Sequence, residues 1–243
     1  MNNQFSEYIG CNIFRICGFE TQDTLLGYFT APTGTKKLVV GCKDFTQDGG
    51  ILYEFSKLAN QVQVDGKYGT SIESVADIVN KNHIIKDKTG IFSKFWDMFV
   101  VDALIGNSDR HFDNWGVIDR SNEVAFAPIY DCGSSLAALI SEEAMETLLS
   151  DSIRTDFKNR EFNIVSCYSM NGKRIFYHEI FKNPPKELEE AIKRVVPKIE
   201  ITAIIEFIES ITVLSDIRKE YMKESVIMRY EQILLPALIK VMK

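Results

Sequence analysis

The chain has 243 residues, 45% of them hydrophobic and 26% charged, enough for one large domain or two modest lobes around a core of useful size. A net charge of −6 argues against a broad nucleic-acid-binding surface, so no direct nucleic-acid contact is expected. Five cysteines, odd in number, scattered and without a Cys-x-x-Cys pair, argue against a disulfide framework or a zinc site and fit a reducing, cytoplasmic setting.

The start, Met-Asn-Asn-Gln-Phe-Ser-Glu, lacks the basic-then-apolar pattern of a signal peptide. Phe5, Ile9, Ile13 and Ile16 recur at helical spacing before Gly18, which predicts a helix over 5–17. Residues 24–30 and 37–42 read as two strands of a hairpin, joined by a turn containing Pro32 and Gly34. After Gly49-Gly50 the pattern becomes helical, over 51–62, 72–82 and 92–104. The most apolar run, 91–105, is cut by Lys94, Asp97 and Asp102 and is too short to cross a bilayer, so no membrane insertion is expected. A loop over 106–114 precedes short strands at 115–118 and 124–127. Helices are expected near 142–150, 177–181, 186–195, 201–210 and 215–240, the last kinked or ended by Pro236. The order is a small α+β piece, 1–48, followed by a larger, mainly helical piece, 49–243.

The chemistry is concentrated in the middle. Asn107-Ser-Asp-Arg-His-Phe-Asp-Asn114 is followed by Ile129-Tyr-Asp-Cys-Gly133. Phosphoryl transfer needs a carboxylate to orient the attacking hydroxyl and accept its proton, and oxygen ligands to hold magnesium against the phosphates. Asp109 suits the first role. Asn114 and Asp131, a neutral oxygen and a carboxylate, suit the second, because magnesium is a hard cation that prefers oxygen. Arg110 and His111 either brace the loop or touch phosphate. An isolated Asp-Arg-His is ordinarily a solvated loop, and an Asn-x-Asp turn can satisfy itself. The joint pattern is more specific: loop spacing, flanking strands and a terminal Asp-x-Gly must all coincide.

With these motifs the chain resembles the HipA-like serine/threonine kinases, most closely the CtkA (cell-translocating kinase A) type. Further segments carry the likeness: Phe5-Ser-Glu-Tyr-Ile-Gly-Cys11, Glu20-Thr-Gln-Asp-Thr-Leu-Leu-Gly27, Val39-Val-Gly-Cys-Lys-Asp-Phe45 and Phe95-Trp-Asp-Met-Phe-Val100. It runs from about residue 4 to the end and weakens after Leu148. The resemblance implies an α+β, protein-kinase-like two-lobed fold with an incomplete N-lobe and a helical C-lobe. It implies use of ATP and Mg2+, a protein substrate, Asp109 as base, Asn114 and Asp131 as metal ligands, and His111 near the nucleotide.

Two readings of residues 38–44 stand side by side. In one, Lys43 is the phosphate-binding lysine and Glu54 its partner. In the other, this segment is the hinge whose backbone binds adenine. The resemblance implies the hinge, with Gly41, Cys42, Lys43 and Asp44 at the nucleotide and Glu7 as the helix glutamate. The lysine and the phosphate-covering loop then belong upstream of Met1. Three explanations follow: an N-terminal complementing polypeptide or antitoxin supplies the strands, the chain is truncated, or it binds without catalysing. An exposed sheet edge is expected where such strands would pair.

Three functions are therefore carried forward: a Ser/Thr protein kinase, a catalytically impaired pseudokinase or toxin-system binding module, and a lipid or small-molecule kinase, the last disfavoured by the net charge. Among other residues, Cys132 reads as packing. Trp96 and the Phe92/Phe95/Phe99 stripe read as core, and His83 and His178 as surface. Lys173-Arg174 reads as a solvated turn, and Ser134 and Ser135 as phosphorylation sites or helix caps.

Overall fold

The computed structural model describes residues 3–62, 70–121, 123–150 and 154–243. Helix α1 (Asn3–Ile16) leads into a hairpin of β1 (Thr24–Thr30) and β2 (Lys36–Cys42). Strand β3 (Ile51–Glu54) runs directly into α2 (Phe55–Val62), followed by α3 (Ile72–Lys81) and α4 (Lys88–Ile105). Strands β4 (Gly116–Arg120) and β5 (Glu123–Phe126) come next, then α5 (Glu142–Ser150), α6 (Thr155–Phe162) and the hairpin β6 (Val165–Met170) and β7 (Lys173–Phe176). The chain closes with α7 (Tyr177–Lys182), α8 (Lys186–Val195), a 3-10 turn (Val196–Lys198), α9 (Ile201–Ser210), α10 (Asp216–Arg229), a π turn (Tyr230–Leu234) and α11 (Leu235–Val241).

Helix α4 is the axis of the fold. Every residue from Phe95 to Ile105 is buried, as expected of a helix that is apolar on all sides. Asp87 caps its start by accepting from Gly90 N–H at 2.8 Å, and Gly106 ends it in the left-handed conformation (φ 65°). A Cβ at Gly106 would lie 2.8 Å from Ile164 Cδ1, so the turn needs glycine on both counts. Trp96, Phe95 and Phe99 are core residues as expected, with Phe92 packed against them at the edge.

Four departures from the expected elements have physical reasons. Residues 51–54 are a strand, not the start of a helix, because they pair antiparallel with β4, from Ile51 opposite Asp119 to Glu54 opposite Gly116. A short apolar run cannot by itself distinguish the two, and the pairing decides. The β6–β7 hairpin was not expected, yet Asn171-Gly172 forms its turn with both residues at positive φ (52° and 71°), the strongest short-range hairpin signal. The last helix does not end ahead of Pro236, which sits in the first turn of α11. It widens into a π turn in which Leu235 N–H bonds Tyr230 C=O, so the donor that proline lacks is accommodated within the helix. His178 is half-buried rather than surface, stacked on Phe162 at 4.4 Å; His83 is exposed.

The β1–β2 hairpin is a two-stranded sheet among the described residues. Leu25 and Tyr28 are each 65% exposed on it, and Phe29 55%. Its base is tied to the chain leading to Asp131, since Gln22 N–H donates to Ile129 C=O and Ile129 N–H to Glu20 C=O, both at 2.8 Å. Helix α1 packs on the same segment at Gly10, where an added Cβ would meet Cys132 Cβ at 2.5 Å. Gly10→Ala should therefore lower stability, by up to about 2 kcal/mol in urea unfolding. Overpacking of about 1–3 kcal/mol outweighs the better helix propensity of alanine, about 1 kcal/mol.

Candidate active site

The loop between α4 and β4 alternates anchors with functional groups. Phe112 and Trp115 are buried, and Phe55 stacks on Trp115 at 4.0 Å and meets Phe112 edge-on at 5.0 Å. Trp115 Nε1 donates to Tyr168 Oη at 2.9 Å. The first N–H groups of α2 serve the same loop: Phe55 N–H donates to Trp115 C=O and Ser56 N–H to Phe112 C=O. Between these anchors stand Asp109, His111 and Asn114.

Arg110 organises the site from beneath. It is 1% exposed and pairs with Asp102, also 1% exposed, through Nε to Oδ2 and Nη2 to Oδ1, both at 3.0 Å. Nη1 donates to the carbonyls of Asn114 (2.9 Å), Tyr130 and Asp131 (3.0 Å), and Nη2 reaches Cys132 Sγ at 3.4 Å. One guanidinium thus fastens the Asn114 end of the loop to the backbone of Asp131. Burial works against its charge, but the Asp102 carboxylate outweighs that and holds Arg110 cationic. Asp102 also accepts from Asn107 Nδ2 at 3.0 Å, and Asn107 Oδ1 accepts from Asp109 N–H at 3.0 Å.

The backbone of the predicted triad is drawn together, since the Asn114 and Asp131 carbonyls share Arg110 Nη1. Asn114 Nδ2 donates to the Asp109 carbonyl at 2.7 Å, which leaves Asn114 Oδ1 without a hydrogen bond among the described residues. Asp131 is an exposed, left-handed residue (φ 55°) whose carboxylate has no protein partner among them. Non-glycine residues in that region concentrate at functional sites. Ser134, three residues further on, donates from Oγ to Asp109 Oδ2 at 3.4 Å. His111 sits between two loop acids, Nε2 4.0 Å from Asp109 Oδ1 and Nδ1 3.5 Å from Asp113 Oδ2. No three His, Cys, Asp or Glu side chains gather as a metal-binding group among the described residues. Asn114 Oδ1 and the Asp131 carboxylate would instead offer a metal two oxygen ligands. That suits magnesium, which keeps waters and shares its shell with phosphate oxygens.

The reading of Lys43 as partner of Glu54 is not realised. Lys43 Nζ pairs with Asp23 at 3.4 Å, and Glu54 with Lys57 at 3.1 Å. Lys43 N–H donates to the Asp23 carbonyl at 2.8 Å, which makes these two a hydrogen-bonded pair of the antiparallel ladder. Such pairs alternate, so the N–H and C=O of Cys42, opposite Thr24, face the outer edge of β2. Gly41 precedes them in β2, and Asp44 follows, its Oδ1 accepting from Thr46 N–H (2.8 Å) and Oγ1 (2.6 Å).

Glu7 faces the same centre. It is buried on α1, accepts from Cys11 Sγ at 3.3 Å, and has no lysine or arginine in ion-pair contact among the described residues. Burial pushes its carboxyl above the usual range. The Cys11 thiol works against this and the Asp131 charge adds to it, while Arg110 and the Cys132 amide lower it. An acid whose pKa is raised on folding carries no penalty below its ordinary value, and the penalty grows as pH rises above it. Glu7→Gln should therefore raise the Tm at pH 7–8, with the gain shrinking towards pH 4; equal gains at both ends would contradict it.

Two residues of this site take roles that the sequence does not assign to them. Asp102 was noted only as an interruption of an apolar run, although a lone acid inside such a run must find a buried partner. Ser134 reads from the sequence as a phosphorylation site or a helix cap, and only the fold brings it to Asp109. Cys132 packs as expected, fully buried with its Sγ 3.9 Å from that of Cys11.

The model of the HipA-like C-terminal domain family matches residues 1–202. The serine/threonine-protein kinase CtkA of Helicobacter pylori strain J99 is 34% identical over 227 residues, covering 91% of this chain and 68% of that protein. The crystal structure of the Helicobacter pylori proinflammatory kinase CtkA superposes with a TM-score of 0.90 at 32% identity, over 100% of this chain and 85% of that one. A chain of the Shewanella oneidensis MR-1 toxin–antitoxin complex of HipA, HipB and operator DNA matches with a TM-score of 0.56 at 13% identity, over 98% of this chain and 57% of that one, a likeness of fold alone.

Proposed function

The chain belongs to the HipA-like C-terminal domain family, and from that premise we propose that it is a kinase that transfers the γ-phosphate of ATP to a Ser or Thr hydroxyl of a protein substrate. The observation that carries this is the Arg110 guanidinium, bonded to the carbonyls of both Asn114 and Asp131, with Asn114 bonded in turn to Asp109. Residues 1–48 act as the partial N-lobe and 49–243 as the C-lobe. The outward-facing backbone of Cys42, with Gly41, Lys43 and Asp44 around it, receives the adenine. Asn114 Oδ1 and the Asp131 carboxylate hold magnesium, and His111 lies by the nucleotide. When bound, magnesium supplies positive charge against the β and γ phosphates. Asp109 orients the acceptor hydroxyl. The acceptor oxygen bonds to the γ-phosphorus as the bond to the β–γ bridging oxygen breaks; ADP leaves with the electron pair and the proton goes to Asp109. Arg110 is a positioning residue, since its donors are spent on protein atoms.

Glu7, which has no Lys or Arg ion pair among the described residues, and the apolar, exposed face of the β1–β2 hairpin support a complementing segment that brings a lysine and further strands, from a second polypeptide, an antitoxin or the same gene product. They equally favour a second reading, in which the chain holds nucleotide without turnover. Incubation with Mg2+ and γ-labelled ATP separates the two. Label transferred to protein supports the kinase; a thermal shift with Mg·ATP but no transfer, even with a complementing segment supplied, supports the second.

A further inference from the structure

A cavity of about 510 Å3 opens beside Asp109. At one end are Asp109 and Ser134, with the Ser134 hydroxyl already seated against the base. Its apolar wall includes Leu139, Ile140 and Ile164. Leu139 is 76% exposed. It is presented by a strained turn: Leu136 (φ 49°) and Ala137 (φ 59°) are consecutive non-glycine residues in the left-handed region. They are held there by Leu136 N–H to Ile105 C=O and Ile140 N–H to Ala137 C=O, both at 3.0 Å. Arg160 also lines the cavity, with its side chain 52% exposed.

Arg160 makes only a long ion pair with its neighbour Glu161, which also lines the cavity. Glu161 is buried and already engaged by Arg229 at Oε2 and by Tyr221 Oη at Oε1 (2.6 Å), while Arg160 Nε stands 3.8 Å away. The cavity therefore joins a base, an apolar wall and a cation with unspent donors, in a chain whose net charge is −6.

We propose that this cavity is the acceptor site and that it takes an extended polypeptide segment whose Ser or Thr is accompanied by an apolar side chain and a carboxylate. This rests on the phosphotransfer reading. The hydroxyl replaces that of Ser134 at Asp109, the apolar side chain covers Leu139, and the carboxylate meets the guanidinium of Arg160 in a charge-assisted pair. A preference for acidic peptides would run against the net charge of the chain, so it cannot arise from the overall field.

The test is fluorescence anisotropy of labelled short peptides binding to the full chain without nucleotide. Each peptide holds one Ser and one Leu, with Glu, Gln or Lys stepped through the other positions. The best Glu peptide should bind about tenfold tighter than its Lys counterpart, with most of the advantage lost at high salt. Arg160→Glu, with its Tm checked against the parent, should reverse the ranking. Leu139→Ser, an exposed substitution, should weaken all peptides several-fold without reordering them. Equal binding of Glu and Lys peptides, or a ranking untouched by R160E, would overturn the site. The predicted ranking without phosphate transfer would support the site and count against the phosphotransfer reading instead.

Discussion

Asp109→Asn is expected to slow phosphate transfer by about 10²- to 10⁴-fold, the range spanned by a positioned general base. The amide cannot accept the acceptor proton, and nothing else about the loop changes. Among the described residues the Asp109 side chain has only a 3.4 Å contact with Ser134 and a 4.0 Å approach of His111, and about half of it is exposed. The loop is held instead by Phe112, Trp115 and Arg110. Unfolding temperature and the thermal shift on adding Mg·ATP should therefore stay close to those of the parent chain. Initial rates with labelled ATP, read beside that shift, check the prediction. A rate within threefold of the parent would remove Asp109 from the chemistry. Loss of the nucleotide shift together with the rate would assign it to binding.

Asp102→Ala is expected to have the largest effect on stability. It leaves the Arg110 guanidinium buried with no counter-charge, a loss of about 3–5 kcal/mol. For a chain of this size each kcal/mol lowers the Tm by about 2–4 °C, so a fall of about 6–20 °C should be seen by calorimetry. Transfer should fall with it, because Arg110 joins the two halves of the site. The double replacement Asp102→Leu with Arg110→Met removes both charges and should recover part of the stability. It should recover no transfer, because the carbonyls of Asn114, Tyr130 and Asp131 lose their shared donor. Recovery of transfer in the double variant would mean that Arg110 does not position the metal ligands.

The sequence was most informative where the chemistry requires fixed spacing. Asp109, Asn114 and Asp131 could be read together because the first two share one short loop and the third ends the hairpin that follows it. Helix α1 and the β1–β2 hairpin were legible for a similar reason, since periodicity and Pro/Gly punctuation agree along the chain. Less was legible where a contact distant in sequence decides. Residues 51–54 become a strand through pairing with β4. Asp102 becomes structural through a residue one helix-end away, and Ser134 joins the base only after the chain has turned back through residues 116–130. The β6–β7 hairpin was readable from Asn171-Gly172 but lies in a stretch without regular alternation. Lys43 shows how little spacing alone decides between the two readings of residues 38–44. Its spacing fits a phosphate-binding lysine, but the ladder pairs its backbone and its side chain with Asp23.

The most direct test of the account is a crystal structure of the chain with a non-hydrolysable ATP analogue and Mn2+, read from the anomalous signal of the metal. The account predicts one metal peak about 2.0–2.2 Å from Asn114 Oδ1 and from an Asp131 carboxylate oxygen, bridging to the triphosphate with the γ-phosphate beside Asp109. A metal bound away from both residues, or a triphosphate that does not approach Asp109, would contradict it.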